Sequence, residues 1–333
     1  MKQEISHNLP AAPPGRTGWP WTDACEPLPL TRPNGSPWPR ITIVTPSFNQ
    51  GQFIEETIRS VLLQRYPNLQ YMVIDGGSSD ATVDVISRYA PWIDFWVSER
   101  DDGQTHAINK GLARADGEWF QFINSDDLLM PGALAAVGLA ADSADAVAGH
   151  VIQCGLGPET LFSNRGLSAA HLLRHHGLTA RSTYHQPGVF LRTDHVQATG
   201  GFDQTYRYVF DFHHMVLYLD RFPRVAWVQQ AVARFRLHGT TKSVHEGHGF
   251  GAEFNRARNE ISAKGLSPRN QRILETVLGR QNWSTEVAAA RKTRSRPGFL
   301  GFLLQSVLGR PHVAANRFTL GALRRAMFAP NHQ

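Results

Sequence analysis

Two adjacent carboxylates, Asp126 and Asp127, follow the apolar run 119–123 almost directly. Such a run is typical of a buried strand, and the interior of a buried strand does not tolerate unpaired charges. We therefore expect both carboxylates at the exit of the strand. Ligands of open α/β sheets bind outside the carboxyl ends of the strands, where carboxylate oxygens suit a divalent cation that carries phosphates.

Three earlier segments repeat this arrangement. Predicted strands at 41–45, 71–74 and about 93–97 each run into a polar loop, and helical spacing of apolar residues follows the first loop. Alternation of strands and helices is typical of a mostly parallel sheet with helices on its faces. All four strand exits are thus predicted to lie at one edge of the sheet.

Composition gives the domain organisation. The chain has 333 residues and 41% hydrophobic residues, enough for a sizeable core. We predict a Pro/Trp-rich arm at 1–40, either packed on the body or loose from it, an α/β domain at 41–245, and a basic helical extension at 246–333. The two cysteines, Cys25 and Cys154, do not form a disulfide framework, which fits a reducing compartment.

The formal charge of +6 is concentrated near the end of the chain. No acidic residue follows Glu286, and the run 299–304 (FLGFLL) is too short to cross a bilayer but suited to lie on an anionic one. We expect a cytoplasmic protein that touches the inner face of a membrane through 290–333, without a signal peptide or a spanning helix. Nucleic acid is not an expected partner, because the basic residues belong to no recognition module. These residues are Arg291, Lys292, Arg294, Arg296, Arg310, Arg317, Arg324 and Arg325.

Four motifs, read in order, resemble the pattern of glycosyltransferase family 2. They are 45–50 (TPSFNQ), 74–80 (IDGGSSD), 101–111 (DDGQTHAINKG) and 124–127 (NSDD), and the resemblance covers about 41–245. It implies an α/β fold of the GT-A type, with a mixed, mostly parallel sheet, here followed by a C-terminal helical extension. It also implies a nucleotide-sugar donor and Mg²⁺ or Mn²⁺ as cofactor.

The resemblance assigns the metal to Asp126, with Asp127 and His238 as further ligands and Lys242 as a phosphate contact. For Asp126 the alternative is a helix cap before Pro131, for Asp75 turn chemistry alone, and for Lys110 an ordinary surface lysine. The residues implied for donor binding are Thr45, Pro46, Ser47, Asn49, Asp75, Ser78, Asp101, Gln104, Asn109, Lys110, Asn124, Ser125 and Asp126.

Asp211 occupies the position that the resemblance gives to the catalytic base, and Gln186 and Gly188 are implied for acceptor binding. An aspartate between two phenylalanines is partly desolvated, which raises its pKa and makes it a better base; a helix cap is the alternative. The chain departs from the family at Asn124 and His213, where relatives often carry an acidic residue. Gly76 is a third departure, where many relatives have a second aspartate.

We therefore predict an inverting glycosyltransferase that transfers a sugar to a hydroxyl of a polysaccharide, a lipopolysaccharide or a lipid-linked glycan. A nucleotidyltransferase is one alternative, although the glycine-rich phosphate loops GxGxxG and GxxxxGK are missing after the first strand. A catalytically idle protein that binds sugar nucleotides or a membrane is another. His171, His175 and His176 have helical spacing, but no third ligand is apparent in the sequence, so a solvated face is expected.

Overall fold

The structure, a computed structural model, describes residues 9–176, 184–241, 247–309, 319–320 and 322–324. The chain divides into two compact units, residues 1–267 and 268–333. The strands are β1 (Ile41–Ser47), β2 (Leu69–Asp75), β3 (Phe95–Ser98), β4 (Trp119–Phe122), β5 (Leu128–Leu129), β6 (Ala146–Gly155), β7 (Thr160–Ser163), β8 (Val189–Arg192) and β9 (Val225–Leu237). The helices are α1 (Ile54–Leu62), α2 (Thr82–Tyr89), α3 (Gln104–Leu112), α4 (Ala133–Ala140), α5 (Ala169–His175), α6 (Thr193–Ala198), α7 (Phe210–Arg221), α8 (Gly247–Lys264), α9 (Pro268–Thr293) and α10 (Arg296–Gly309).

The described strands form one mixed sheet in the order β3-β2-β1-β4-β8-β6-β9-β5, with β7 paired to β6. The half made of β3, β2, β1 and β4 is parallel. Ser47 lies opposite Asp75, which lies opposite Ser98, so these three strands end together. Val44 lies opposite Phe122, which brings the end of β4 to the same edge. The predicted convergence of the four strand exits is therefore observed.

Burial on both faces explains the apolar strands of this half. Every residue of β1, β2 and β4 is buried. Helix α1 covers one face with Ile54, Ile58 and Val61, which recur at helical spacing and are fully inaccessible. Polar loops come after these strands because burying a carboxylate or amide in the apolar interior is unfavourable, whereas the strand ends allow such groups to find polar partners.

The N-terminal arm packs on the body through Arg59, a residue of α1 that is only 4% exposed. Its guanidinium donates hydrogen bonds to the carbonyls of Pro10, Pro20 and Trp21 at 2.8–2.9 Å. Charged donors to neutral carbonyls make strong hydrogen bonds in a buried setting. Of the two arrangements predicted for the arm, residues 9–40 thus adopt the packed one.

Helix α8, which we predicted within the extension, belongs to the first unit. The Glu253 carboxylate of α8 accepts hydrogen bonds from the backbone N–H groups of Arg207, Tyr208 and Val209 at 2.8–3.2 Å. These groups precede α7, so the glutamate binds backbone donors at a helix N-terminus. The compact second unit begins at residue 268.

The second unit has its own small core, in which Phe299 and Leu303 of α10 pack with Trp283 of α9. Part of the run 299–304 is therefore buried inside the protein, contrary to an entirely membrane-facing stretch. Leu304 and Leu308 remain 50% and 84% exposed. In the part of the chain that the structure describes, no helix is long and apolar enough to cross a membrane. Residues 310–318, 321 and 325–333, with Arg310, Arg317 and Arg325, lie outside the described residues.

Replacing both Leu304 and Leu308 by Glu tests the predicted membrane contact. Because both side chains are exposed, the exchange leaves the core of the unit intact. Loss of two apolar anchors and gain of two negative charges should reduce co-sedimentation with anionic vesicles about 10-fold or more. Leu161→Glu, at a leucine that is 59% exposed on β7, is the matched control. Equal binding of the double variant and the control would exclude this surface as the contact.

Candidate functional site

The loops after β1 and β2 are joined by Asn49 and Ser78. The backbone N–H of Asn49 donates to the Ser78 hydroxyl at 2.7 Å, and the Asn49 side-chain oxygen accepts from the N–H of Ser79 at 2.9 Å. Asn49 adopts a φ of 52°, a left-handed conformation that asparagine tolerates better than most residues. Both predicted residues therefore shape the rim of the site.

Asp75 ends β2 and has no exposed surface. Its Oδ2 accepts hydrogen bonds from the N–H groups of Gly77 and Ser78 at 3.1 and 2.9 Å and from the Ser98 hydroxyl at 2.7 Å. Its Oδ1 accepts from the Ser78 hydroxyl at 2.5 Å. The carboxylate thus organises the loop that follows it, as the turn alternative predicts, and holds β2 and β3 together at their ends.

Asp75→Asn should therefore cost stability. An amide offers one acceptor oxygen where the carboxylate serves four donors, so we expect a loss of about 1–3 kcal/mol in the free energy of unfolding. Urea unfolding measures this loss. The matched control is Asp102→Asn, at a side chain that is 87% exposed. A variant as stable as the control would show that the loop does not depend on Asp75.

Gly76 allows the Asp101 carboxylate to approach the Asp75 loop. A Cβ at Gly76 would lie 3.0 Å from Oδ2 of Asp101, tighter than ordinary contacts. Asp101 in turn accepts the N–H of Gly103 at 2.8 Å, just before α3 begins. The acidic group that many relatives carry at position 76 is thus absent from the loop itself, and the carboxylate of Asp101 lies beside it.

Asp126 and His238 form the polar pair predicted for the metal. The Nε2 atom of His238 lies 2.9 Å from Oδ2 of Asp126, and the side chains are 14% and 18% exposed. Thr240 contacts the other imidazole nitrogen at 2.9 Å, and the Phe53 ring packs 4.4 Å from the imidazole. Residues 112 positions apart in the chain therefore meet at the exit of β4.

Asp127, also predicted as a metal ligand, has a different environment from its neighbour, because both of its oxygens accept hydrogen bonds inside the protein. It has no exposed surface, and its two oxygens accept from the N–H of Arg236 at 3.0 Å and the amide of Asn124 at 3.2 Å. Burial, and then the charge of Asp126, raise the pKa of the Asp127 carboxyl well above its usual range. Gln104 donates to Asn124 at 2.6 Å, so Asn124 links α3 to this turn.

Sequence reasoning missed a supporting network behind the pair. The Arg236 guanidinium is hydrogen-bonded to Glu56 and lies 5.0 Å from the centre of the Phe53 ring. Glu56 also accepts the indole N–H of Trp21 at 3.1 Å. Arg236 lies two positions before His238 in the chain, but its partners come from α1, the loop before it and, through Glu56, the arm. The network fixes the strand end that carries His238.

Asp211 lies in the first turn of α7, at the same end of the sheet. The ring of the preceding Phe210 is 5.9 Å from that of Phe122, the last residue of β4. Asp211 accepts the N–H of Phe212 at 2.8 Å, and burial raises the pKa of its carboxyl to about 6. Gln186 approaches as well, since its side chain donates to the carbonyl of Phe122 at 2.7 Å.

Several residues that we predicted to contact ligands have partners within the protein or are buried. Asn109 bridges the backbone of Phe202 at 2.7 and 3.1 Å, and Lys110 pairs with Glu99 at 2.9 Å. A Cβ on Gly188 would lie 2.5 Å from Val151, so this glycine serves close packing. Thr45, Pro46 and Ser125 are buried. Lys242 lies outside the described residues.

Ser47 differs from those residues. Its side chain is only 6% exposed, and its hydroxyl has no hydrogen-bond partner among the residues that the structure describes. Buried hydroxyls are normally paired. Ser47 ends β1, opposite Asp75.

Comparison with solved structures defines the class of fold. The Staphylococcus aureus TarS 1–349 structure in complex with UDP-GlcNAc aligns with a TM-score of 0.57 over 86% of this chain and 87% of that chain, at 13% identity. The mannosyltransferase PcManGT of Pyrobaculum calidifontis, in complex with GDP-Man and Mn²⁺, aligns at 0.55 over 98% and 93%, with 20% identity. The fold is that of GT-A glycosyltransferases, as the sequence predicted.

Residues 42–197 match the model of glycosyl transferase family 2. The match includes all four motifs, and the resemblance to this family is confirmed. An uncharacterized glycosyltransferase of Mycobacterium tuberculosis is 39% identical over 27% of this chain and 34% of its own length. A β-1,3-glucosyltransferase of Campylobacter jejuni, named for GalNAc(5)-diNAcBac-PP-undecaprenol, is 31% identical over 30% and 33%. The chain thus spans about a third of these relatives.

Proposed function

We propose that the protein transfers a sugar from a nucleoside-diphosphate sugar to an acceptor hydroxyl with inversion at the anomeric carbon. One observation carries the proposal. The Asp126–His238 pair and the half-buried Asp211 lie at the carboxyl ends of the parallel strands, where α/β sheets bind ligands. The carboxylate of Asp126 is suited to bind a cation, and that of Asp211, whose pKa is raised, is suited to accept a proton.

The donor site is the edge formed by Ser47, the Asp75 loop and Asp101. The Ser47 hydroxyl, which has no partner in the described part of the chain, and the ordered loop offer polar contacts to a nucleotide. TarS with UDP-GlcNAc and PcManGT with GDP-Man support a nucleotide sugar as ligand and leave uracil and guanine as candidate bases.

The residues at the pair fit a divalent cation. A carboxylate oxygen and an imidazole nitrogen 2.9 Å apart and partly exposed can share one ion, and this mixed donor set suits Mn²⁺. The Mn²⁺ in the PcManGT complex supports the same choice. Bound there, the ion would neutralise negative charge that grows on the leaving phosphates. Asp126 and His238 would hold it, while Arg236 and Phe53 fix the imidazole.

Asp211 acts as the base. Its carboxylate takes the proton of the acceptor hydroxyl as that oxygen forms a bond to the anomeric carbon. The bond from the anomeric carbon to the phosphate oxygen breaks on the opposite face, and the nucleoside diphosphate leaves with the electron pair. A pKa of about 6 keeps Asp211 ionised at neutral pH and makes it a stronger base than an ordinary aspartate.

The acceptor we propose is a glycan, and the name of the Campylobacter jejuni relative supports a lipid-linked one. The exposed leucines of α10 and the basic residues near them suit an anionic membrane surface, where such acceptors are found.

Thermal shift with UDP-, GDP-, dTDP- and CMP-sugars and Mn²⁺ tests the donor. A ligand that binds only the folded chain at 100 times its dissociation constant adds about 2.7 kcal/mol of stability. We expect one sugar nucleotide to raise the melting temperature in a Mn²⁺-dependent way, and donor turnover to accompany it. Binding without turnover in the presence of acceptor would favour the idle binding protein. Release of pyrophosphate from a nucleoside triphosphate supplied with a sugar phosphate, without transfer from any sugar nucleotide, would favour a nucleotidyltransferase.

A further inference from the structure

We propose a second metal site, separate from the Asp126–His238 pair, formed by Asp203, His213 and Glu260. Asp203 lies in the turn before α7, His213 on α7 and Glu260 on α8. Their ligand atoms all lie within 4.8 Å of one another. One imidazole and two carboxylates form a donor set typical of Zn²⁺ and similar transition-metal ions.

His213 provides the independent observation that points to a ligand. Its side chain is 3% exposed, and its Nε2 has no hydrogen-bond partner among the described residues. Leaving a buried nitrogen without a hydrogen-bond partner destabilises a fold, so this nitrogen points to a ligand. Burial also lowers the pKa of His213, which favours the neutral imidazole that binds metals.

The two carboxylates are held by neighbours in a way that suits metal ligands. Oδ1 of Asp203 accepts from the N–H and the hydroxyl of Thr205 at 2.9 and 2.8 Å. Oε2 of Glu260 accepts from the Tyr206 hydroxyl at 2.5 Å, and the Tyr206 ring stacks 4.9 Å from the imidazole. Such contacts orient ligands and are common around protein metal sites.

Two positively charged side chains lie near the cluster and repel a cation. The negative charges of the two carboxylates must outweigh this repulsion. Arg256 lies 3.8 Å from Glu260, and Lys264 lowers the pKa of His213. Arg256 also donates to the carbonyl of Thr205 at 2.7 Å and lies 4.0 Å from the centre of the Tyr206 ring. Its pair with Glu260 is 43% and 42% exposed, so water screens the charge of this arginine. Ligands about 2.1 Å from an ion lie about 4.2 Å apart at most, so atoms within 4.8 Å of one another need to approach by only about 0.6 Å or less.

An ion at this site would join α8 to α7 directly. His213 is two positions from Asp211, so the ion would also fix the first turn of the helix that carries the base. Zn²⁺ would then stabilise the fold without taking part in transfer.

The test uses the full chain, treated with EDTA, with Asp126→Asn introduced to remove the first metal site. Zn²⁺ is titrated calorimetrically, and we expect one ion per chain and a higher melting temperature. Adding Asp203→Asn and Glu260→Gln should weaken Zn²⁺ binding about 100-fold or more and abolish the thermal shift. Both substitutions keep an oxygen that accepts from Thr205 and Tyr206, and melting without metal checks that the fold persists.

The matched control is His171→Ala with His175→Ala, because these rings lie 5.0 Å apart on α5 and offer a surface metal pair. We expect this control to bind Zn²⁺ as before. Absence of Zn²⁺ binding in the Asp126→Asn chain would overturn the proposal. So would binding that survives loss of both carboxylates or disappears with His171 and His175.

Discussion

Asp211→Asn should lower the rate of sugar transfer about 10²–10⁴-fold while leaving donor binding intact. The expectation follows from the half-buried position of Asp211 in the first turn of α7 and from its pKa of about 6. An amide has the same shape but takes no proton. Steady-state transfer and donor binding, measured on the same variant, separate the two effects. Transfer at the wild-type rate would show that another group is the base.

The same substitution should stabilise the folded chain at neutral pH. Burial raises the pKa of Asp211 from 3.8 to about 6, so the folded state binds its proton more tightly than the unfolded state. The stability that protonation gives is present below pH 3.8 and lost as pH rises from 3.8 to about 6. At 1.36 kcal/mol per pKa unit, Asn should gain up to about 3 kcal/mol at pH 7 and almost nothing at pH 3.5.

Urea unfolding of wild type and Asp211→Asn at both pH values measures this gain, with the exposed Asp102→Asn as control. A catalytic residue that costs stability is the signature of a site strained for function. A helix cap has the opposite property, because removing it destabilises the protein. Lower stability of Asp211→Asn at pH 7 would therefore favour the capping alternative.

The pH dependence of wild-type transfer gives a further check on Asp211. We expect kcat/KM to fall about tenfold per pH unit below pH 6 and to level off above it, since only the carboxylate takes a proton. A rate that stays constant from pH 5 to pH 7 would contradict the assignment.

Asp126→Asn should abolish metal-dependent transfer, with a loss of about 10² or more. Its carboxylate lies 2.9 Å from His238 at the exit of β4, and a neutral amide binds a divalent cation far more weakly. Titration of transfer with Mn²⁺ measures the loss. His238→Asn should act in the same direction with a smaller effect, because the carboxylate charge remains.

The neighbouring Asp127 provides a matched control. It is fully buried, and its two oxygens accept hydrogen bonds from the N–H of Arg236 and the amide of Asn124, so both are engaged inside the protein. Asp127→Asn should therefore keep the affinity for Mn²⁺, although its side-chain NH2 group cannot accept the hydrogen bond that the second carboxylate oxygen accepts. If Asp127→Asn loses Mn²⁺ binding and Asp126→Asn retains it, our division of roles between the two aspartates is reversed.

The sequence predicts the frame of the site because that frame is local. Each apolar strand passes directly into its polar loop, so the exits at Asp75, Asp101 and Asp126 are readable from the chain, and parallel pairing brings them to one edge. The place of Asp211 came from family resemblance. Its raised pKa followed from the flanking phenylalanines, a purely local signal.

The remainder depends on contacts between distant segments. The local sequence does not distinguish Asp126 from Asp127. Asp126 contacts His238, whereas buried Asp127 accepts a hydrogen bond from Arg236 of β9, and both partners are distant in the chain. The partner of Asn109 is also distant, because its side-chain amide donates a hydrogen bond to the carbonyl of Phe202, 93 positions away in the chain. The packing of α8 on the first unit, which ends at residue 267, depends on such contacts too and leaves no compositional signal in the sequence.

Mn²⁺ binding measured by electron paramagnetic resonance, with and without UDP and GDP, tests the central claim most directly. The claim is that Asp126 holds the cation beside the donor while Asp211 serves only proton transfer. Wild type and Asp211→Asn should both bind Mn²⁺ more tightly when the correct nucleotide is present, and Asp126→Asn should lose this nucleotide-dependent binding. Equal binding by wild type and Asp126→Asn, or its loss in Asp211→Asn, would contradict the account.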